Sequence, residues 1–142
     1  MKKSVKIIVA LCLMAALVLT LAACGDDNIG TWECTNCKEL LLLSSAAQGF
    51  SKEKTEEMLG RSLDDLSLTV TFNKDKTCTV MENLWHGPEE FTGTWTSDEK
   101  GINVTVNGYF SFPFLRDGDN LTTISYRYII GNKDHELVFA KK

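Results

Sequence analysis

The sequence predicts a mainly β domain: an up-and-down antiparallel barrel of about eight strands, with a short helical insertion after the first strand. Three observations predict it. Apolar and polar residues alternate strictly from Leu66 to Asn73. Turn-forming stretches recur at short intervals, as at Asn73-Lys74-Asp75-Lys76 and Arg116-Asp117-Gly118-Asp119-Asn120. The spacing between later strands suits a meander and is too short for the crossover helices of a parallel sheet. A meander of this length hides its edges most simply by closing on itself.

The elements follow in order. Gly30-Thr31-Trp32 opens a short strand, with Trp32 and Cys34 on one face by the two-residue period. Lys38 to Leu63 has few β-branched residues and many helix formers, and reads as one or two short helices. Ser51 fits an N-cap and Gly60 a C-cap, while Ser62 is placed to cap a final turn. Phe50, Met58 and Leu59 are the expected packing residues of this insertion. Leu66, Leu68, Val70 and Phe72 then form the inner face of a strand. Thr77 to Trp85 runs back with Cys78, Val80 and Leu84 inward, until His86-Gly87-Pro88 breaks it. Phe91 to Thr96, Ile102 to Val106 and the Phe110-Phe112-Phe114 alternation follow. Pro113 predicts an edge, a bulge or a strand end there. Leu121 to Ile130 and Leu137 to Ala140 close the chain.

The start of the chain is of another kind. Lys2, Lys3 and Lys6 precede the apolar run Ile7 to Thr20. That run is short of the roughly 20 apolar residues a spanning helix needs, and it suits a signal-peptide core. Leu21-Ala22-Ala23-Cys24 resembles the lipobox of bacterial lipoproteins. The resemblance implies a signal peptide at 1–23 and a diacylglycerol on Cys24. It also implies a lipidated N-terminus and short spacer at 24–29, and a domain at 30–142 held close to the extracytoplasmic face of a bacterial cell membrane. Two long acyl chains on one cysteine give a lasting anchor where a single chain binds only reversibly.

Loss of the three leader lysines leaves 12 basic residues against all 19 acidic ones, so the formal charge moves from −4 to −7. An acidic domain excludes nucleic acid and anionic headgroups as partners of the domain itself. The expected partners are the membrane through the lipid on Cys24, a small apolar ligand, or an envelope protein.

The folded part resembles the small lipocalin-like lipoproteins of bacteria. The matching features are Gly30-Thr31-Trp32, Leu68 to Asp75, Gly93-Thr94-Trp95, Asp117 to Thr122 and Glu136 to Phe139. This resemblance implies an up-and-down barrel, often with an internal apolar pocket. The candidate pocket wall is Trp32, Phe72, Trp95, Phe110, Phe112 and Tyr126. The competing expectation is that the same rings fill a solid core. The helical insertion departs from the compact pattern, and is expected to plug, cover or lid the barrel mouth.

Cys34-Thr35-Asn36-Cys37 is the sharpest chemical feature. With Cys78 it supplies three thiols for a disulfide or a soft metal. Trp32 to Lys38 is similar to the thioredoxin redox motif, with Glu33 inserted, but that motif needs a βαβ setting as well as a helix N-terminus, and the setting here is an all-β meander. Copper-stress lipoproteins of the NlpE type also place Cys-x-x-Cys after the first strand of a small barrel. That likeness implies a thiol-based metal or envelope-stress sensor as the alternative role. Cys34, Cys37, Cys78 and His86 would make four zinc ligands, but the last two lack the clustered spacing of a zinc module. No nucleophile or general-acid constellation is recognisable, so neither enzymatic activity nor a cofactor is expected.

Overall fold

The computed structural model describes residues 26–84, 87–106, 110–130 and 133–142. Its eight strands are β1 (Gly30–Cys34), β2 (Ser67–Phe72), β3 (Thr77–Asn83), β4 (Pro88–Ser97), β5 (Gly101–Val106), β6 (Phe110–Asp117), β7 (Asn120–Ile130) and β8 (Lys133–Lys141). They join in sequence order into one closed barrel. Every neighbouring pair is antiparallel, and the β1–β8 seam shuts the ring through Trp32↔Lys141, Glu33↔Ala140 and Cys34↔Phe139. The predicted fold class is therefore the observed one, and it is consistent with a lipocalin-like barrel.

Alternation sets the two faces. Leu68, Val70 and Phe72 point inward on β2, and their partners Val80 and Cys78 point inward on β3. Closure turns these faces into one core with Trp95, Ile102, Val104, Leu121, Leu137 and Phe139. The outer wall carries hydroxyls at matching registers: Thr31↔Thr71, Thr71↔Thr79, Thr79↔Thr92, and Thr77↔Thr94, Thr94↔Thr105. Threonine suits this place, because its branched carbon fits the pleat while its hydroxyl meets water.

The insertion forms α1 (Cys37–Ala47), α2 (Lys52–Leu59) and a 3-10 turn at Leu63–Asp65. Ser51 caps α2 by accepting from the Lys54 N–H at 3.2 Å, and Gly60 ends it in the left-handed region. Ser62 caps the 3-10 turn through the Asp64 N–H. α1 packs on β7, β2 and β8, and it buries Cys37, Leu40, Leu41 and Ser45. Leu40 and Leu41 join the barrel core, so the insertion covers the mouth. Arg61 fastens the cap to the barrel by donating to Asn83 Oδ1 and to the Leu84 carbonyl.

Two local expectations need correction. Met58 does not pack: it is 61 % exposed, and the buried residue of α2 is Thr55. The Thr55 hydroxyl donates to the Ser51 carbonyl at 2.9 Å, so a polar residue is satisfied on the packed face. β4 also begins earlier than expected, at Pro88, so the Gly-Pro pair stands at a strand start.

Pro113 lies within β6 opposite Asn103. The β6–β7 register runs from Asp117↔Asn120 to Phe114↔Thr123, and Pro113 stands just beyond it. Its missing N–H is thus no loss to that ladder, and its carbonyl accepts from the Thr123 hydroxyl at 2.8 Å.

Candidate functional site: the barrel floor, its aromatic stack and the Cys34–Cys37 junction

The end of the barrel bearing the β2–β3, β4–β5 and β6–β7 turns also carries the start of β1 and the end of β8. We call it the floor. Asp26 to Ile29 is strapped across it. The Ile29 N–H donates to the Asp26 carbonyl at 2.8 Å, and Asn28 donates to Asp26 Oδ1 at 2.7 Å. Asp26 Oδ2 meets Lys76 Nζ at 2.7 Å. Lys141 donates to the Asp27 carbonyl at 2.8 Å, and Arg116 donates to Asn28 Oδ1. The Trp32 indole N–H donates to the Asn28 carbonyl at 2.9 Å. Burial raises the Asp26 carboxyl, but the hydrogen bonds from Lys76 and Asn28 and the Lys76 charge outweigh it and hold it below the usual carboxylate value.

Inside the floor lie the predicted wall residues. Trp32, Phe72 and Trp95 are each only 1 % exposed. Phe72 stacks at 5.4 Å from Trp95 and 5.9 Å from Phe114. Phe114 in turn meets Phe112 at 5.7 Å and Phe139 at 5.2 Å. The Trp95 indole N–H donates to the Asn73 carbonyl at 3.0 Å, so both indoles are satisfied by backbone. These rings touch one another. The centre of the stack, Phe114, and its partner Phe139 were absent from the predicted set, although their alternation with Phe112 and Leu137 marks both as inward. Of the other predicted residues, Cys24 and the side chains of Phe110 and Tyr126 lie outside the described residues, as does His86.

The cysteine pair sits at the opposite end, where β1 gives way to α1. Cys34 is the last residue of β1 and Cys37 the first of α1. A helix N-terminus therefore stands at the pair itself, one residue before the expected start of the helical insertion at Lys38. The two residues between are pinned to β8. The Thr35 N–H donates to the Val138 carbonyl at 2.8 Å. The Asn36 amide donates to the Glu136 carbonyl at 2.9 Å and accepts from the Val138 N–H at 2.9 Å. Cys34 Sγ lies 3.5 Å from the same Asn36 oxygen, and Cys37 Sγ lies 4.0 Å from the Cys34 carbonyl.

This setting separates the two thiols. The hydrogen bond from Cys34 lowers the Cys37 thiol to about 7 against the opposing cost of burial, helped by the Lys38 N–H and charge. Cys34 moves the other way, raised by its bond to Cys37, by burial and by the Cys37 charge. Cys78 stands apart on β3, and burial alone pushes its thiol up. All three are free and buried thiols. Among the described residues no three metal-ligating side chains converge.

An open hollow of about 420 Å³ reaches Cys34 from outside and is lined by Glu33, Thr35, Lys38, Lys141 and Lys142. A second, of about 550 Å³, lies on the threonine wall around Thr79, Thr92 and Thr94. No known family matches the chain, and no curated protein matches it either. Among the described residues no helix is long and apolar enough to cross a membrane.

Proposed function

We propose that this chain is a lipid-anchored, extracytoplasmic, non-enzymatic barrel that stands floor-down on a bacterial membrane and offers its helical cap to an envelope protein. The strapped tether carries the reading. A chain emerging from a lipidated Cys24 meets the barrel at Asp26, and from there it is folded against the floor. The opposite end, with α1 and α2, then faces away from the bilayer. Leu43 and Met58 are exposed on that cap, and they give a partner an apolar contact. The packed rings favour surface interaction over an apolar ligand held at Trp32, Phe72 and Trp95.

The test is the full-length chain in lipid vesicles, with a fluorophore at Glu57 on the cap or at Asp119 on the floor. Lipid-borne quenchers should dim the floor label and spare the cap label. Equal quenching would remove the fixed orientation. A chain that never partitions into vesicles would remove the anchor.

A second reading, thiol-based sensing, is favoured by one observation: Cys37 opens α1 directly beside Cys34.

A further inference from the structure

We infer that Cys34 and Cys37 form a reversible dithiol–disulfide site whose co-reactants are small, negatively charged thiols and their disulfides, entering through the lysine-lined hollow at the β1–β8 seam. This deepens the thiol reading of that pair and is independent of the lipid anchor.

Geometry assigns each sulfur a task. The hollow reaches Cys34 and not Cys37, and Cys34 is the more exposed of the two at 7 % against 2 %. Two ammonium groups serve the hollow, because Lys141 turns its own to the Asp27 carbonyl at the floor. Lys142 is paired with Glu33 at 3.2 Å, while Lys38 donates to the Asp64 carbonyl. Among the described residues the Lys38 charge is therefore not balanced by a carboxylate. A carboxylate-bearing thiol would be drawn there and a cationic one repelled.

The exchange balances as follows. With the pair oxidised, an external thiolate attacks Cys34 Sγ. The Cys34–Cys37 bond breaks, and the electron pair leaves with Cys37 as a thiolate at the start of α1. A second external thiol, as thiolate, attacks the external sulfur of the mixed disulfide and releases the small disulfide. Cys34 leaves as thiolate and takes a proton. One protein disulfide and two small thiols become one protein dithiol and one small disulfide. Oxidation retraces the same path. The better leaving group is the more stabilised thiolate, and helix-start amides and the Lys38 charge stabilise Cys37. The Thr35-Asn36 loop, fixed to β8, keeps both sulfurs in place throughout.

The test uses the full chain, oxidised with glutathione disulfide and mapped by peptide mass spectrometry with differential alkylation. The expected product is a Cys34–Cys37 disulfide with Cys78 unmodified. Reduction is then timed with glutathione and with cysteamine at equal thiolate concentration. Glutathione should react faster by about tenfold, and Lys38→Gln with Lys142→Gln should erase most of that preference. Cys37→Ser should trap glutathione on Cys34. A disulfide that forms but shows no charge preference would overturn the inference and leave the thiol reading standing. Failure to form any Cys34–Cys37 disulfide would overturn both. The wild-type mapping decides even where a cysteine variant fails to fold.

Discussion

Lys76 lies over the indole of Trp95, its Nζ 3.6 Å from the ring centroid, and the same nitrogen is 2.7 Å from Asp26 Oδ2. One side chain thus ties the Asp26–Ile29 strap to a fully buried ring of the floor. Lys76 does this from a left-handed backbone conformation, at φ 66°, where a side chain is unfavourable. The turn accepts strain in exchange for two contacts. Lys76→Ala keeps the strain and loses both, so it should cost about 1 kcal/mol, since the half-exposed ion pair is screened. Lys76→Gly loses the same contacts and relieves the backbone, so less than half of that loss should appear. Urea denaturation of the two variants checks this. Equal losses would mean that the strain is not felt.

Acid should loosen the Asp26–Ile29 strap first. The folded Asp26 carboxyl titrates below the ordinary 3.8. Its contribution is complete above that value and is lost as pH falls through the lower folded value. Stability followed from pH 6 downward should therefore begin to drop only once the pH has passed below 3.8. Asp26→Asn should flatten that part of the curve. An unchanged acid limb would place the sensitivity elsewhere.

Gly93 should tolerate no side chain. A Cβ there would stand 2.2 Å from the Thr105 carbonyl oxygen, which is backbone and cannot swing away. β4 and β5 come together at this point through the Gly93↔Val106 pair. Gly93→Ala should cost about 3 kcal/mol or prevent folding. A thermal melt within a few degrees of wild type would refute the close approach.

Phe114 is the place to open the interior. Phe114→Ala should destabilise by about 3–5 kcal/mol. If the variant still folds, it should bind small apolar molecules such as benzene or xenon that the wild type excludes, because an apolar void stays dry. Calorimetric binding of benzene to the wild type with equal affinity would favour a native pocket instead of a packed stack.

Much of this was legible in short-range patterns. Ser51, Gly60 and Ser62 cap what their spacing predicted, because capping depends on neighbours within four residues. The inward faces of β2 and β3 followed from alternation alone. What depends on distant partners was harder to read. Met58 and Leu59 are adjacent on a helix and face different ways, and sequence does not say which way α2 rolls onto α1. The start of α1 at Cys37 rests on the Asn36 clamp to β8, which joins residues remote in sequence. The strap at Asp26 needs Lys76, Arg116 and Lys141, each from a different turn or strand end, and no local signal unites them.

The insertion between β1 and β2 also bears on the order in which the chain folds. From β2 to β8 each strand meets the next across a turn, so that sheet can zip hairpin by hairpin at little entropic cost. β1 has no such neighbour: it ends at Cys34, one partner begins at Ser67 and the other ends at Lys141. It is thus the last strand to enter. Until it does, the curled sheet of seven strands keeps an open edge on each side, and the slot for Trp32 stays wet. The chain therefore completes its barrel from the back, and its first strand acts as the closing stave.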